Sequence, residues 1–284
     1  MRPANLKTKI FLDGGNPQET KEAITLLEFL DGQTTNPTLI SKNPVVAERL
    51  AQGKKFSLEE AFEFYKKVVS EISDLIPEAA VSIEVPADKN TTSEQMLNIG
   101  REMFSWIPNA YIKFPISTEG LEAAELAVKE GIRVNMTLCF TQEQAAAVYS
   151  VTKTGDAFVS PFVGRLDDKG ENGMDLIKNI IQMFVGSDHH VKVLTASVRN
   201  IDHFLMALTL GSDIITAPFK ILKEWVEKGS PIPANNYSHD SGNLKSIPYQ
   251  QLDLDKNWRE FNIHHELTDK GIEKFASDWN SLII

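Results

Sequence analysis

The sequence predicts an α/β protein that folds as a (β/α)8 TIM barrel with a C-terminal loop and helix extension. Two observations support this fold. Short apolar or β-branched runs alternate with longer amphipathic stretches, and eight such pairs fit into the 284 residues. A doubly wound sheet is the competing fold, but no GxGxxG follows the first short run and no GxxxxGKS or GxxxxGKT is present.

Eight short runs of apolar and β-branched residues are the predicted strands. They lie at residues 9–12, 32–36, 80–85, 110–114, 132–137, 157–161, 191–196 and 213–216. In a barrel of parallel strands the carboxyl ends meet at one face, so the residues that close these runs are expected to lie close together.

The stretches between the runs have helical spacing and begin with residues that cap helices well. The predicted starts are Asn16 before Pro17, Ser57 with Glu60, Thr92 with Gln95, Thr118 with Leu121, Thr141 with Gln144, and Asn200 before Phe204. The barrel is expected to occupy residues 1–229.

The chain changes character after Gly229. Residues 230–265 are polar and rich in turn formers, which indicates a long surface connection, and loops of this length are uncommon unless they have a function. Residues 268–282 regain helical spacing, with Ile272, Phe275 and Trp279 on one face. We expect residues 230–284 to belong to the same domain, with the helix docked on the barrel or on a neighbouring subunit.

Composition excludes several classes of function. A net charge of −10 disfavours nucleic acid and anionic membranes as partners, so an anionic substrate would have to be held by a few local cations. The start, MRPANLKTKIFLDGG, lacks a signal-type apolar segment, and no run of about 18 apolar residues occurs, which favours a cytoplasmic protein.

The sequence predicts no metal site and no disulfide. The single cysteine, Cys139, lacks the partners that a thiolate site needs and is expected to be a packed core thiol. The histidine pairs at 189–190 and 264–265 have no carboxylate at helical ligand spacing.

One lysine stands out chemically. Lys113 lies in YIKFP, inside an otherwise apolar run and at the closing end of a predicted strand. Burial disfavours the ammonium form and lowers a lysine pKa, so such a residue can supply the neutral amine that attacks a ketone to form a Schiff base. The alternative is a lysine whose stem lines the core while its head reaches water.

Polar groups close nearly every predicted strand, which suggests one shared site at the barrel mouth. They are Asp13, Thr35 and Asn36, Glu84, Lys113, Asn135 and Thr137, Ser160 with Arg165, and Ser197 with Arg199. Single members have simpler explanations, since Asp13 could cap a helix, Asn36 could be a turn residue and Ser160 a strand-end cap. The set as a whole favours a site.

Six of these segments, TTNPTLI, VSIEV, YIKFP, VNMTLCF, SPFVGRLDD and TASVRNI, occur in an order that resembles the transaldolase family, including its fructose-6-phosphate aldolase branch. The resemblance runs from about residue 9 to about residue 225, and the final GIEKFASDW resembles the closing helix of longer transaldolases. It implies a (β/α)8 barrel, class I aldol chemistry on phosphorylated sugars, no metal and no organic cofactor.

The resemblance also implies roles. Lys113 matches the Schiff-base lysine, Glu84 the general acid/base that works through a water held also by Thr137, and Asp13 the carboxylate that handles the C4 hydroxyl proton. Asn36 and Asn135 match the residues of the dihydroxyacetone site, with Thr35 and Ser160 beside them. Arg165, Arg199 and Ser197 match the residues of the phosphate site. Two guanidinium groups suit phosphate well.

The expected activity is that of a transaldolase, which passes a dihydroxyacetone unit from a ketose phosphate to an aldose phosphate. The resemblance favours this over the aldolase branch, because transaldolases carry Phe at the position of Phe162 and Glu at that of Glu84, where the aldolase branch carries Tyr and an amide. The alternatives are a fructose-6-phosphate aldolase that releases dihydroxyacetone, and a barrel that binds sugar phosphates without turnover. Homo-oligomers are expected.

Overall fold

The computed structural model describes residues 2–153, 155–234 and 236–284. Within them, parallel strands close into a barrel whose order around the sheet follows the chain. The strands are β1 (Lys9–Asp13), β2 (Gly32–Thr34), β3 (Ala80–Glu84), β4 (Ala110–Pro115), β5 (Val134–Cys139), β6 (Ala157–Pro161), β7 (Val191–Thr195) and β8 (Ile214–Ala217). The predicted TIM barrel is confirmed.

Helices surround the barrel. They are α1 (Pro17–Leu27), α2 (Pro37–Ser41), α3 (Pro44–Ala51), α4 (Leu58–Leu75), α5 (Ser93–Phe104), α6 (Thr118–Lys129), α7 (Gln142–Val151), α8 (Val163–Asp167), α9 (Gly173–Met183), α10 (Ile201–Leu210), α11 (Phe219–Glu227) and α12 (Glu266–Leu282). Among the described helices, none is both long and apolar enough to span a membrane.

Five of the six predicted helix starts are confirmed by side-chain caps. The capping side chains belong to Asn16, Ser57, Thr92, Thr141 and Asn200. The sixth prediction is wrong by one residue, because the Gly120 N–H bonds to Ser117 Oγ and Thr118 is already helical. Ser and Thr cap helices in the same way, so the pattern left the choice between these neighbours open.

Several predicted strand limits differ from the structure by one or two residues, and two of these errors come from helix ends. The run at 32–36 stops pairing at Thr34, because Asn36 Oδ1 accepts the Leu39 N–H and caps α2. The strand predicted at 132–137 begins only at Val134. The Ile132 N–H instead bonds to Ala127 O and closes α6, with Gly131 at φ 79°.

The C-terminal helix docks on the barrel of its own chain. It begins two residues before the predicted 268, with His265 as its cap, and its predicted apolar face is buried. Helix α12 packs against α2 and the end of β5, where Thr268 Oγ1 donates to Leu138 O over 3.0 Å. The described part of the connection before it contains a 3₁₀ turn at Trp258–Glu260.

An aromatic layer fills the barrel below its mouth. Phe158 stacks on Tyr111, with ring centroids 4.1 Å apart, and meets Phe11 edge to face at 6.2 Å. These rings lie two residues before polar strand-end residues and therefore on the same, inward face of their strands. A Cβ at Gly32 would lie 2.4 Å from the Phe11 ring, so the layer admits no larger residue there. The site above it rests on an apolar floor.

Candidate active site

The predicted site residues gather at the mouth of the barrel, around a cavity of about 280 Å³. Eight of them line it: Asp13, Asn36, Lys113, Ser160, Phe162, Arg165, Ser197 and Arg199. The other four are buried around it: Thr35, Glu84, Asn135 and Thr137. The position agrees with the rule that TIM barrels carry their sites at the carboxyl ends of the strands.

A buried ion pair forms the centre of the site. Glu84 and Lys113 lie side by side in the register of β3 and β4, and Lys113 Nζ is 2.8 Å from Glu84 Oε2. Both side chains are almost fully buried, with 4% and 3% exposure. Burial raises the pKa of Glu84, while the Lys113 charge acts in the opposite direction and the net effect is upward. A glutamate with a raised pKa beside a lysine can exchange a proton with it.

A network that the sequence did not reveal holds this pair in place. Lys113 Nζ donates to the Thr35 carbonyl over 3.1 Å, and the Thr35 hydroxyl bonds to Tyr65 OH and to the Ser82 carbonyl. The Glu84 N–H donates to the same Tyr65 oxygen. Thr35 was predicted to lie beside the substrate. In the structure it does not line the cavity, and it contacts Lys113 and Tyr65 instead. Tyr65 was missed because it lies on helix α4, where its spacing is that of an ordinary core residue.

Two buried oxygens near the pair lack hydrogen-bond partners within the described part of the chain. They are Thr137 Oγ1 and Glu84 Oε2, whose contact with Lys113 is close but not aligned as a hydrogen bond. A buried hydroxyl or carboxylate oxygen without a partner is costly, so both atoms are suited to binding a water or a ligand oxygen.

Asn135 and Ser160 form a second buried group beside Lys113. Ser160 Oγ donates to Asn135 Oδ1 over 2.6 Å, and Asn135 Nδ2 donates to Ser82 Oγ over 3.0 Å. Asn135 is the register partner of Lys113 on β5. The amide is therefore fixed at the level of the lysine, and only Ser160 of the two lines the cavity.

Asp13 lies across the barrel mouth on β1. Burial raises its pKa, while the Lys113 charge and a hydrogen bond from Thr34 Oγ1, 2.7 Å from Asp13 Oδ1, act in the opposite direction. Thr34 Oγ1 also lies 2.6 Å from Thr216 Oγ1. Neither threonine was predicted, although Thr216 closes the eighth predicted strand. An aspartate with a raised pKa is a better general base than an exposed one.

The two arginines approach the cavity in different ways. Arg165 lies over the rings of Phe162 and Phe275, at 5.1 and 5.3 Å, and no described carboxylate is within ion-pair distance of it. Arg199 pairs with Asp168 over 2.8 Å and is half exposed. Lys42 and Lys274 also line the cavity and were missed, since isolated surface lysines carry no sequence signal.

Backbone strain marks the segment that carries Arg199. Ser197 has φ 58°, in the left-handed region that favours glycine. The Gly164 N–H bonds to the Ser197 carbonyl over 3.1 Å, and a Cβ at Gly164 would lie 2.3 Å from Arg199 Cγ. The close approach of α8 to this segment therefore requires glycine at 164.

A larger cavity of about 620 Å³ lies elsewhere, between α4, α5 and α12. Its floor is apolar, with Phe62 and Trp279, and none of the predicted site residues reaches it. Volume alone does not identify a catalytic centre, and the smaller cavity is the one that holds the buried lysine.

Comparison with known proteins gives a consistent result. The family description Transaldolase/Fructose-6-phosphate aldolase matches residues 10–284. The chain is 35% identical to the "Probable transaldolase" of Dehalococcoides mccartyi over 274 residues, which cover 96% of this chain and 99% of that protein. The corresponding protein of Herpetosiphon aurantiacus is 33% identical over 96% of each chain. That of Methanococcus maripaludis is 35% identical over 96% of this chain and 98% of its own.

Proposed function

Because this chain belongs to the transaldolase/fructose-6-phosphate aldolase family, we propose that it is a transaldolase that works through a Schiff base on Lys113. The donor is fructose 6-phosphate or sedoheptulose 7-phosphate, and the acceptor is an aldose phosphate. The observation that carries the proposal is the Lys113–Glu84 pair, almost fully buried above an aromatic floor. We also propose that the enzyme is a cytoplasmic homo-oligomer of the pentose phosphate pathway.

The first step is attack of the Lys113 amine on the ketone. The ammonium must lose a proton first, and Glu84, 2.8 Å away and with a raised pKa, is suited to accept it. The same carboxyl, with Thr137 Oγ1, then assists loss of the carbinolamine hydroxyl as water to give the imine. Neither Thr137 Oγ1 nor Glu84 Oε2 has an aligned hydrogen-bond partner among the described residues, which suits both atoms to this task.

The second step breaks the bond between C3 and C4. Asp13 takes the proton of the C4 hydroxyl, the C4 carbonyl forms, and the bonding electron pair passes to the protonated imine as an enamine. The aldose phosphate leaves, and the three-carbon enamine stays attached to Lys113 until an acceptor aldehyde arrives. Asn36, Asn135 and Ser160 are positioned to hold its hydroxyl groups.

The preference for transfer over hydrolysis rests on Phe162. This side chain lines the cavity, packs edge to face with Phe140 at 5.9 Å and has no group that could orient an attacking water. The names of the curated relatives, which are probable transaldolases, favour the same choice. A fructose-6-phosphate aldolase is the second candidate. A non-catalytic binding barrel is disfavoured, since binding alone would not require a desolvated lysine.

The decisive experiment is reduction with borohydride in the presence of fructose 6-phosphate, followed by peptide mapping. We expect a three-carbon adduct on Lys113 and loss of activity, with no adduct in Lys113→Met. An adduct on another lysine, or none, would refute the Schiff-base assignment. A coupled assay with and without erythrose 4-phosphate then separates the candidates. Glyceraldehyde 3-phosphate release that requires the acceptor indicates a transaldolase, and release without it indicates an aldolase.

A further inference from the structure

A buried aspartate–histidine pair lies beside the segment that carries Ser197 and Arg199. His203, on the first turn of α10, is 2% exposed. Its Nε2 lies 2.7 Å from Asp167 Oδ2, and its Nδ1 accepts the backbone N–H of Arg199 over 3.4 Å. The pair thus links the end of α8, the helix of Arg165, to the backbone of Arg199.

The pair is fixed at both ends. Asp167 Oδ1 accepts the Gly173 N–H over 2.9 Å, so the carboxylate cannot turn away from His203. Burial raises the pKa of Asp167, but the hydrogen bonds from His203 and from Gly173 outweigh it and leave the pKa lowered. An ionised carboxylate is a strong acceptor for an imidazole N–H. His203 therefore has a defined ring orientation.

His239, from the long connection, covers this pair. Tyr237 OH donates to Asp202 Oδ1 over 2.9 Å and places His239 with its ring 5.4 Å from that of His203. Asp167, His203 and His239 offer ligand atoms within 4.8 Å of one another, as a metal site would. The hydrogen bonds disfavour that interpretation. Because Nδ1 of His203 accepts a hydrogen bond from the Arg199 N–H, Nε2 carries the ring proton and has no lone pair for a metal.

The strained segment explains why such a pair is needed. A non-glycine residue in the left-handed region is strained and persists only where its surroundings hold it. Ser197 has this conformation, and the backbone bond from Gly164 to its carbonyl restrains one side. The bond from Arg199 N–H to His203 restrains the other side. Within the described part of the chain, the His203 side chain provides a hydrogen bond to the backbone of this turn.

We propose that His203, oriented by Asp167, is a positioning residue that holds Ser197 and Arg199 in place to bind the phosphate group of the substrate. The inference rests on the proposed function for the identity of the ligand, a sugar phosphate. His203 does not touch the ligand. It acts through the backbone of Arg199, so its loss should weaken the recognition of phosphate and leave the chemistry at Lys113 intact.

Two probes separate these effects. Inorganic phosphate, as a competitive inhibitor against fructose 6-phosphate, measures the phosphate subsite, and borohydride trapping of dihydroxyacetone measures Lys113 without any phosphate. For His203→Leu we expect the inhibition constant of phosphate to rise about tenfold, the loss of one good contact to a charged group. The rate of dihydroxyacetone trapping should stay within about threefold. His203→Gln, which keeps a donor and an acceptor, should lie between His203→Leu and the wild type.

Asp167→Ala is a second variant at a more accessible position, and it should raise the inhibition constant in the same direction. His264→Leu changes an exposed histidine outside the Asp167–His203 pair and is the matched control. It should change neither the inhibition constant of phosphate nor the rate of dihydroxyacetone trapping. Equal losses in both readings, or an unchanged phosphate constant in His203→Leu or Asp167→Ala, would overturn the proposal. Failure of the wild type to form any adduct would instead refute the proposed function.

Discussion

At the scale of single residues, the proposed preference for transfer over hydrolysis can be tested at Phe162. A tyrosine there would place a phenol hydroxyl in the cavity, where it could orient a water for attack on the intermediate. For Phe162→Tyr we expect more dihydroxyacetone release without acceptor and less transfer to erythrose 4-phosphate. Both products can be followed in coupled assays.

The matched control is Phe275→Tyr, because Phe275 also lines the cavity and also contacts the Arg165 guanidinium, but from α12. It should leave the ratio of transfer to release unchanged. If Phe162→Tyr kept the ratio of the wild type, or if the wild type already released dihydroxyacetone as its main product, the assignment as a transaldolase would fail.

The pH dependence of turnover should reflect Asp13. This base must be ionised, and burial raises its pKa, so kcat should fall with decreasing pH at a higher pH than an exposed aspartate would give. The Thr34 hydroxyl lowers the pKa of Asp13 by donating to the ionised form. Thr34→Val should therefore shift the acidic limb of kcat to higher pH, measured as a full pH profile.

Thr216→Val is the control for this experiment. It removes the hydroxyl 2.6 Å from Thr34 Oγ1 but keeps the bond between Thr34 and Asp13. In Thr216→Val the pH at which kcat falls on the acidic side should change less, relative to the wild type, than it does in Thr34→Val. A limb that moved to lower pH in Thr34→Val would contradict the role of Asp13 as the base.

The two arginines should differ in their contribution to substrate binding. Arg199 is already paired with Asp168 and half exposed, whereas Arg165 has two aromatic rings as neighbours and no described carboxylate within reach. Each change to Ala should raise KM for fructose 6-phosphate by an amount equivalent to about 1.5–3 kcal/mol, with Arg165→Ala at the upper end. Equal losses with fructose and fructose 6-phosphate would show that neither arginine recognises phosphate.

At the scale of elements, sequence patterns located the strands and most helix starts, because these depend on local spacing and capping. The end of β5 shows what they could not supply. Its pairing with β6 shifts between Met136 and Cys139, and Leu138 takes φ 62°. Nothing in VNMTLCF indicates this irregularity. At this point the strand contacts helix α12, 130 residues away in sequence, whose Thr268 hydroxyl donates to the Leu138 carbonyl.

Thr268→Val tests this link between α12 and β5. The Thr268 hydroxyl donates to Leu138 O and accepts from Gln144 Nε2, over 3.0 and 2.8 Å. Valine has nearly the same shape but leaves the buried Leu138 carbonyl without its side-chain partner, which should lower the free energy of unfolding by about 1–3 kcal/mol. Urea unfolding measures the change. Thr25→Val, which loses an exposed hydroxyl on α1, should stay within about 0.5 kcal/mol of the wild type.

The candidate site also contains some residues that local sequence patterns predict and others that depend on contacts distant in sequence. The strand-end residues could be predicted, because the fold itself brings them together. The roles of three other residues could not be predicted: Tyr65, Ser82 and Lys274. Each gains its role only through contacts with residues that are distant in sequence. Thr35 illustrates the reverse case. The sequence indicated its place at a strand end, but its hydroxyl bonds to Tyr65 and its backbone carbonyl accepts a hydrogen bond from Lys113 Nζ.

At the scale of the whole molecule, charge is distributed unevenly. The chain carries a net charge of −10, yet the cavity is lined by Arg165, Arg199, Lys42 and Lys274. Since the Debye length is about 8 Å at physiological ionic strength, a sugar phosphate at the mouth interacts mainly with these cations and little with distant carboxylates. Local cations can therefore bind an anionic substrate on an acidic protein.

The C-terminal extension connects the outer surface of the molecule to the buried Lys113–Glu84 pair. Trp279 of α12 packs on Phe62 and on Tyr65, with ring centroids 5.5 and 5.9 Å apart, and Tyr65 in turn holds the Glu84 backbone. If residues 230–284 belong to the same domain as the barrel, the full chain should unfold in one transition, with tryptophan fluorescence and circular dichroism coinciding. A chain ended after Gly229 should lose that cooperativity and the borohydride adduct on Lys113, because Tyr65 would keep its contact with Trp106 but lose the Trp279 ring. A truncated chain that unfolded cooperatively and still formed the adduct would show that the barrel is a domain by itself.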